Sequence, residues 1–200
     1  YSIYIGATPE YGKEKFLSRL EKEIYAVKLQ YPHATYVGIA DGAKINWDFL
    51  NCHTSYQILD FYHATEYLAN VAKAAHPHPF ATAKRKAWLE DACHRLKHDN
   101  NGAHDLLKGM QGQSTDGLSL DIKTKLSAAI TYFTNQQHRM DYPLYRAKHF
   151  PIGSGVTEAA CKTLVKQRLC RSGMKWQEKG ARLLLSLRAL VCTKTRFEQF

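Results

Sequence analysis

The sequence has no run of 18 apolar residues and no signal-peptide pattern at its start, so neither a transmembrane helix nor a secretory leader is expected. Cysteine offers little. Cys52, Cys93, Cys161, Cys170 and Cys192 are odd in number and include no Cys-x-x-Cys pair, which argues against a disulfide framework and fits a reducing cytoplasm. With no Cys-x-x-Cys pair to complete a zinc site, His76-Pro-His-Pro79 reads as a stiff loop. A Gly-rich phosphate loop and a Gly-x-Ser-x-Gly turn are also missing, which removes support for nucleotide hydrolysis and serine esterase chemistry. What remains is an ordinary globular composition: 200 residues, 44% apolar and 23% charged, long enough for one domain with a real core. The first residue is Tyr1, so the chain is expected to be a piece of a longer protein.

Charge is the first positive signal. The formal net charge is +10. From Pro143 onward, 12 Lys and Arg face 3 Asp and Glu, whereas the first 142 residues are nearly balanced at +1. Such a surplus points to a polyanion. A membrane-binding helix would set its basic face opposite Trp, Phe and Leu. Here the cations are interleaved with a Ser-Gly turn and Trp176, which favours nucleic acid over membrane.

Periodicity gives the organisation. Ser2–Ile5 is β-branched and aromatic and reads as a strand. Phe16, Leu17, Leu20, Ile24 and Val27 recur at helical spacing over residues 10–30. Thr35–Ala40 and Tyr56–Leu59 read as buried strands separated by a short helix around Trp47, and a helix follows at about 64–75. Residues 81–138 read as a helical insertion, with helices near 83–98, 103–111 and 120–137. Turn-rich segments at 140–143 and 150–155 precede a helix from Val156 to about Arg171. A last helix starts near Gln177, with Leu183, Leu184, Leu187 and Val191 as its apolar stripe. Strands joined through helices favour a parallel pair, whose functional residues gather at the carboxyl ends.

Three carboxylates are placed to do chemistry. Asp41 follows a buried strand directly and Gly42 lets the chain turn beside it; an Asp-Gly turn is the plainer reading. Asp60 repeats the arrangement one strand later, with His63 three residues on; it also suits an N-cap of the following helix. Glu158 lies in the first turn of a helix, where it complements the dipole. It is the only acid between Asp141 and Glu178, in a stretch carrying Lys162, Lys166, Arg168, Arg171 and Lys175. Glu158, Lys162 and Lys166 are spaced to share one helix face. Carboxylates at strand ends and on a late helix suit two divalent ions about 3.5–4 Å apart acting on phosphate. Trp176 suits core packing or base stacking.

Several blocks, in order along essentially the whole chain, resemble bacterial insertion-sequence transposases of the ISKra type. They are Gly6-Ala-Thr-Pro-Glu10, Ile39-Ala-Asp-Gly-Ala43, Leu59-Asp-Phe-Tyr-His-Ala-Thr-Glu-Tyr-Leu68, Arg139-Met-Asp-Tyr-Pro143, Pro151-Ile-Gly-Ser-Gly-Val-Thr-Glu-Ala-Ala-Cys-Lys162 and Arg171-Ser-Gly-Met-Lys-Trp176. The resemblance implies an α/β RNase H-like fold, helix-rich overall, with a mostly helical insertion and two C-terminal helices. Residues 1–80 and 139–200 would form the core and 81–138 the insertion. It implies an Asp-Asp-Glu metal triad with Asp41 as the second Asp and Glu158 as the Glu, Asp60 and His63 in support, and two Mg2+ ions for which Mn2+ can substitute. In such a fold the strands lie in the order 3-2-1-4-5 and the first Asp stands on strand 1. The chain would then start at strand 3, with an incomplete sheet, and be inactive alone. The implied partners are transposon-end and target DNA and further copies of the protein assembled on it, in the bacterial cytoplasm and at the nucleoid when bound. The other readings are a catalytically dead or domesticated DNA-binding module, and a structure-specific nuclease of the same fold.

Overall fold

The computed structural model describes residues 2–8 and 11–193. In chain order its elements are α1 (Lys13–Gln30), β1 (Val37–Ala40), α2 (Lys44–His53), β2 (Tyr56–Leu59), α3 (Phe61–Ala75), α4 (Thr82–His98), α5 (Gly102–Gln111), α6 (Leu120–Gln136), α7 (Tyr142–Ala147), α8 (Gly155–Cys161), a π-helical turn (Lys162–Lys166), α9 (Gln167–Leu169) and α10 (Glu178–Cys192). The chain is helix-rich, with one small parallel sheet among the described residues. Its described residues divide into two compact units, one within 2–34 and 155–193, the other 35–154. These boundaries lie elsewhere than those of the 81–138 insertion read from sequence: within the second unit α4 and α6 of that segment pack on α3, and α5 packs on α4 and α6.

In the second unit, β1 and β2 run parallel in the register Val37↔Tyr56 to Ala40↔Leu59, joined by the crossover helix α2. Amides of Tyr56 and Asp60 donate to the carbonyls of Tyr36 and Ala40. In a parallel ladder this alternation turns the backbone groups of Val37 and Ile39 to the opposite edge of β1. Only Gly38 of β1 is buried, less than the apolar run 35–40 suggests, because a two-stranded sheet leaves an edge uncovered. The β2 side is closed instead: the Tyr142 hydroxyl donates to the Leu59 carbonyl and the Phe61 amide to the Ile152 carbonyl. The core lies where α3 packs on α4 and α6. Leu68, Leu96 and Phe133 are fully buried there, and Ala64 and Ala129 are small enough to let helices approach. Each large side chain contributes about 1.5–3 kcal/mol. The segment 140–143, read as turn-rich, opens the helix α7. Asp141 caps it by accepting from the Leu144 amide, and Pro143 falls in the first turn, where no amide is needed.

In the first unit, Ser2–Ile5 is not a strand. Among the described residues it has no ladder partner, and the Tyr4 amide donates to the Thr193 hydroxyl. The α1 stripe of Phe16, Leu17, Leu20, Ile24 and Val27 is half-buried along its length. The buried face of α10 is Leu185 and Ala189, continued by Thr193 at its C-cap, while Leu183, Leu187 and Val191 of the expected stripe are exposed. Small Ala189 and Thr193 favour that face because backbone packs on it: the Tyr4 amide reaches Thr193, and Gly6 lies against Leu185. Arg188 donates to the Thr163 carbonyl within the π turn, so a guanidinium satisfies a carbonyl of the widened turn. None of the described helices is long and apolar enough to cross a membrane.

Candidate functional site

The register carries Asp41 and Asp60 off the carboxyl ends of adjacent strands side by side, separated by about one strand spacing of ~4.8 Å at the backbone. Each meets a different environment. Asp41 is exposed. Its Oδ1 accepts from the Ala43 amide at 3.2 Å and from Asn46 Nδ2 at 3.1 Å. The turn reading therefore holds, and Oδ2 has no bonded donor among the described residues. The turn is pinned from α6: the Tyr132 hydroxyl donates to the Asp41 carbonyl at 2.8 Å, and Gln136 Nε2 to the Gly42 carbonyl at 3.1 Å. Gly42 is required here. Its φ is +107°, and an added Cβ would stand 2.9 Å from the Tyr132 ring.

Asp60 is 4% exposed and saturated. Oδ1 accepts from the amides of Tyr62 at 2.8 Å and His63 at 3.3 Å, which caps α3. Oδ2 accepts from the Ser154 amide at 2.8 Å and from the Ser154 hydroxyl. Burial pushes the Asp60 pKa up, but the Ser154 hydroxyl and amide and the two helix amides outweigh it and hold the carboxyl below its ordinary value. Pro151-Ile-Gly-Ser154 is thus a clamp on this carboxylate. Ile152 takes the Phe61 amide, Ser154 takes Asp60, and Gly153 sits where a Cβ would meet the Tyr62 ring at 2.7 Å.

Around these ends Glu66, Tyr67 and Tyr132, which sequence reading missed, gather about His63, which it singled out. His63 Nδ1 lies 3.3 Å from Glu66 Oε2, and its ring packs edge-on against Tyr67 and Tyr132. Tyr67 and Tyr132 stack with centroids 3.9 Å apart and planes at 11°. Burial raises the Tyr132 pKa, and Tyr67, Asp41, Asp60 and Glu66 add to the shift, so its hydroxyl stays protonated and donates. Glu66 follows His63 at helical spacing, a signal that was available. Tyr132 lies 91 residues from Asp41, and only the fold joins them.

Glu158 belongs to the first unit. It is exposed in the first turn of α8 and shares with Lys162 and Lys166 an open concavity of about 800 Å3. The shared face expected from the spacing therefore forms, although Lys162–Lys166 is π-helical. Arg168, Arg171 and Lys175 are exposed in the same unit. Trp176 is 44% exposed, so it is not core, and its indole N–H donates to the Leu169 carbonyl at 3.1 Å.

Among the described residues no three His, Cys, Asp or Glu side chains gather as a metal-holding group. The donor chemistry still sorts the carboxylates. Asp41 keeps an oxygen without a bonded donor, and Glu158 is exposed beside lysines. Both suit a hard cation that also takes substrate phosphate. Asp60 could ligate only by giving up donors that build the fold. Comparison with family models, curated proteins and solved structures finds no match for this chain.

Proposed function

We propose that the chain is part of the catalytic domain of a DDE-type DNA transposase with an RNase H-like fold. Asp41 and Glu158 supply two of its carboxylates, and the first Asp comes from a strand upstream. The observation that carries the reading is the placement of Asp41 and Asp60 at the carboxyl ends of a parallel pair whose β1 edge, at Val37 and Ile39, turns away from β2. A further strand suits that edge. Asp41 and Glu158 are the residues that would hold Mg2+ or Mn2+, which supplies activation of the attacking oxygen and stabilisation of the leaving one in phosphoryl transfer. Asp60 positions α3 and so His63 and Glu66. Lys162, Lys166, Arg168, Arg171 and Lys175 bind DNA phosphates, and the complete protein works as a multimer on DNA in the bacterial cytoplasm.

The DNA part is tested on this chain. Its affinity for duplex DNA should fall linearly in log-log form with salt. Lys166→Ala with Arg171→Ala should weaken binding equally across sequences and reduce the salt slope by about 2. An unaltered slope removes these two cations from the interface. The domesticated-module reading shares this result and separates from the enzyme only in strand cleavage.

A further inference from the structure

A cavity of about 510 Å3 opens beside Gly42, one residue from Asp41. Thr124, Ser127, Thr131 and Asn135 of α6 line it together with Tyr67 and Tyr132. No Lys, Arg, His, Asp or Glu lines it, so it holds no counter-charge for a phosphate or carboxylate. What it presents is neutral hydrogen-bonding groups and aromatic surface. Ser127, Thr131 and Asn135 are spaced four apart and form a row along α6. All three are exposed, and no protein group among the described residues is bonded to their side chains. The Tyr132 ring is fixed in place, stacked on Tyr67 and tethered through its hydroxyl to the Asp41 carbonyl. A planar heterocycle with donors and acceptors on its edge matches such a lining, and the volume is in the range of small-ligand sites.

We propose that this cavity receives one unpaired nucleobase of a DNA strand whose backbone passes the Asp41 strand end. The inference rests on the DNA reading above and adds the state of the substrate: locally single-stranded beside the strand ends. An uncharged sugar shares part of this chemistry. Most of the +10 net charge lies from Pro143 onward, so attraction to a polyanion belongs to the chain as a whole and not to this lining, and the oligosaccharide competition below separates base from sugar.

The test titrates the 200-residue chain with a short single-stranded DNA carrying 2-aminopurine and with the fully paired duplex of the same sequence. The single strand should show quenched 2-aminopurine fluorescence on binding, as a stacked base does. Thr131→Leu with Asn135→Leu fills the cavity from exposed helical positions. The change should weaken single-strand binding about 10-fold, abolish the quench, and leave duplex binding and the melting temperature unchanged. Quenching that survives the double change overturns the proposal, as does displacement of the single strand by an uncharged oligosaccharide. Equal affinity for single strand and duplex without quenching overturns it while leaving the DNA reading intact. Failure to bind either DNA contradicts the DNA reading itself.

Discussion

Asp60 and Asp41 leave matching positions on paired strands, yet their surroundings give them different work. Asp60 spends both oxygens on four donors, two of them from Ser154. Replacing Ser154 with Ala removes a hydroxyl bond to a buried carboxylate and should cost about 1.5–3 kcal/mol in denaturant unfolding. The pH dependence has a definite sign. The folded-state pKa of Asp60 lies below its ordinary value of 3.8, so the unfolded chain takes up the proton first as pH falls. The stabilisation is complete above that ordinary value and is lost as pH drops through the folded value. In Ser154→Ala the folded value should rise, and the acid limb of stability should flatten. An unchanged acid limb would show that Ser154 does not hold this carboxylate. The cap reading of Asp60 was legible from its place before a helix. The clamp was not, because Ser154 is 94 residues away and only the fold delivers it.

At the scale of elements, periodicity made most helices and both paired strands legible, since each buries one face or one run. It failed where a partner decides. Ser2–Ile5 has strand composition but gives its Tyr4 amide to Thr193, the residue that caps the end of α10. Residues 140–143 look turn-like because of Pro143, yet proline is tolerated in a first helical turn. On α10 the long leucines suggested one buried face, and small residues that accept close backbone won another. Helix α6 serves the candidate site in the same way, through what each of its faces meets. Phe133 is fully buried and turns into the core, while its neighbour Tyr132 turns to the Asp41 carbonyl. Truncating Phe133 to Ala should cost about 3–5 kcal/mol, read by chemical unfolding. Because α6 holds the Asp41-Gly42 turn, amide exchange at 42–44 should speed up with it. Unchanged exchange at that turn would mean that α2 holds Asp41 without help from α6.

For the whole molecule, the charge asymmetry and the order of acidic and basic segments were readable directly, because composition needs no fold. The division at 34/35 and 154/155 was not readable: the second unit draws its core from β2, α3 and the helical block alike, and the change in charge falls at about 143, not at either boundary. In the proposed function Asp41 and Glu158 act in phosphoryl transfer together with an upstream carboxylate. It is tested most directly by strand cleavage. The 200-residue chain and a version extended upstream in the same reading frame are incubated with transposon-end DNA and Mg2+ or Mn2+. Metal-dependent cleavage is expected from the extended protein alone, abolished by Glu158→Gln and by Asp41→Asn. Cleavage by the short chain, or by the extended protein carrying either substitution, would contradict it.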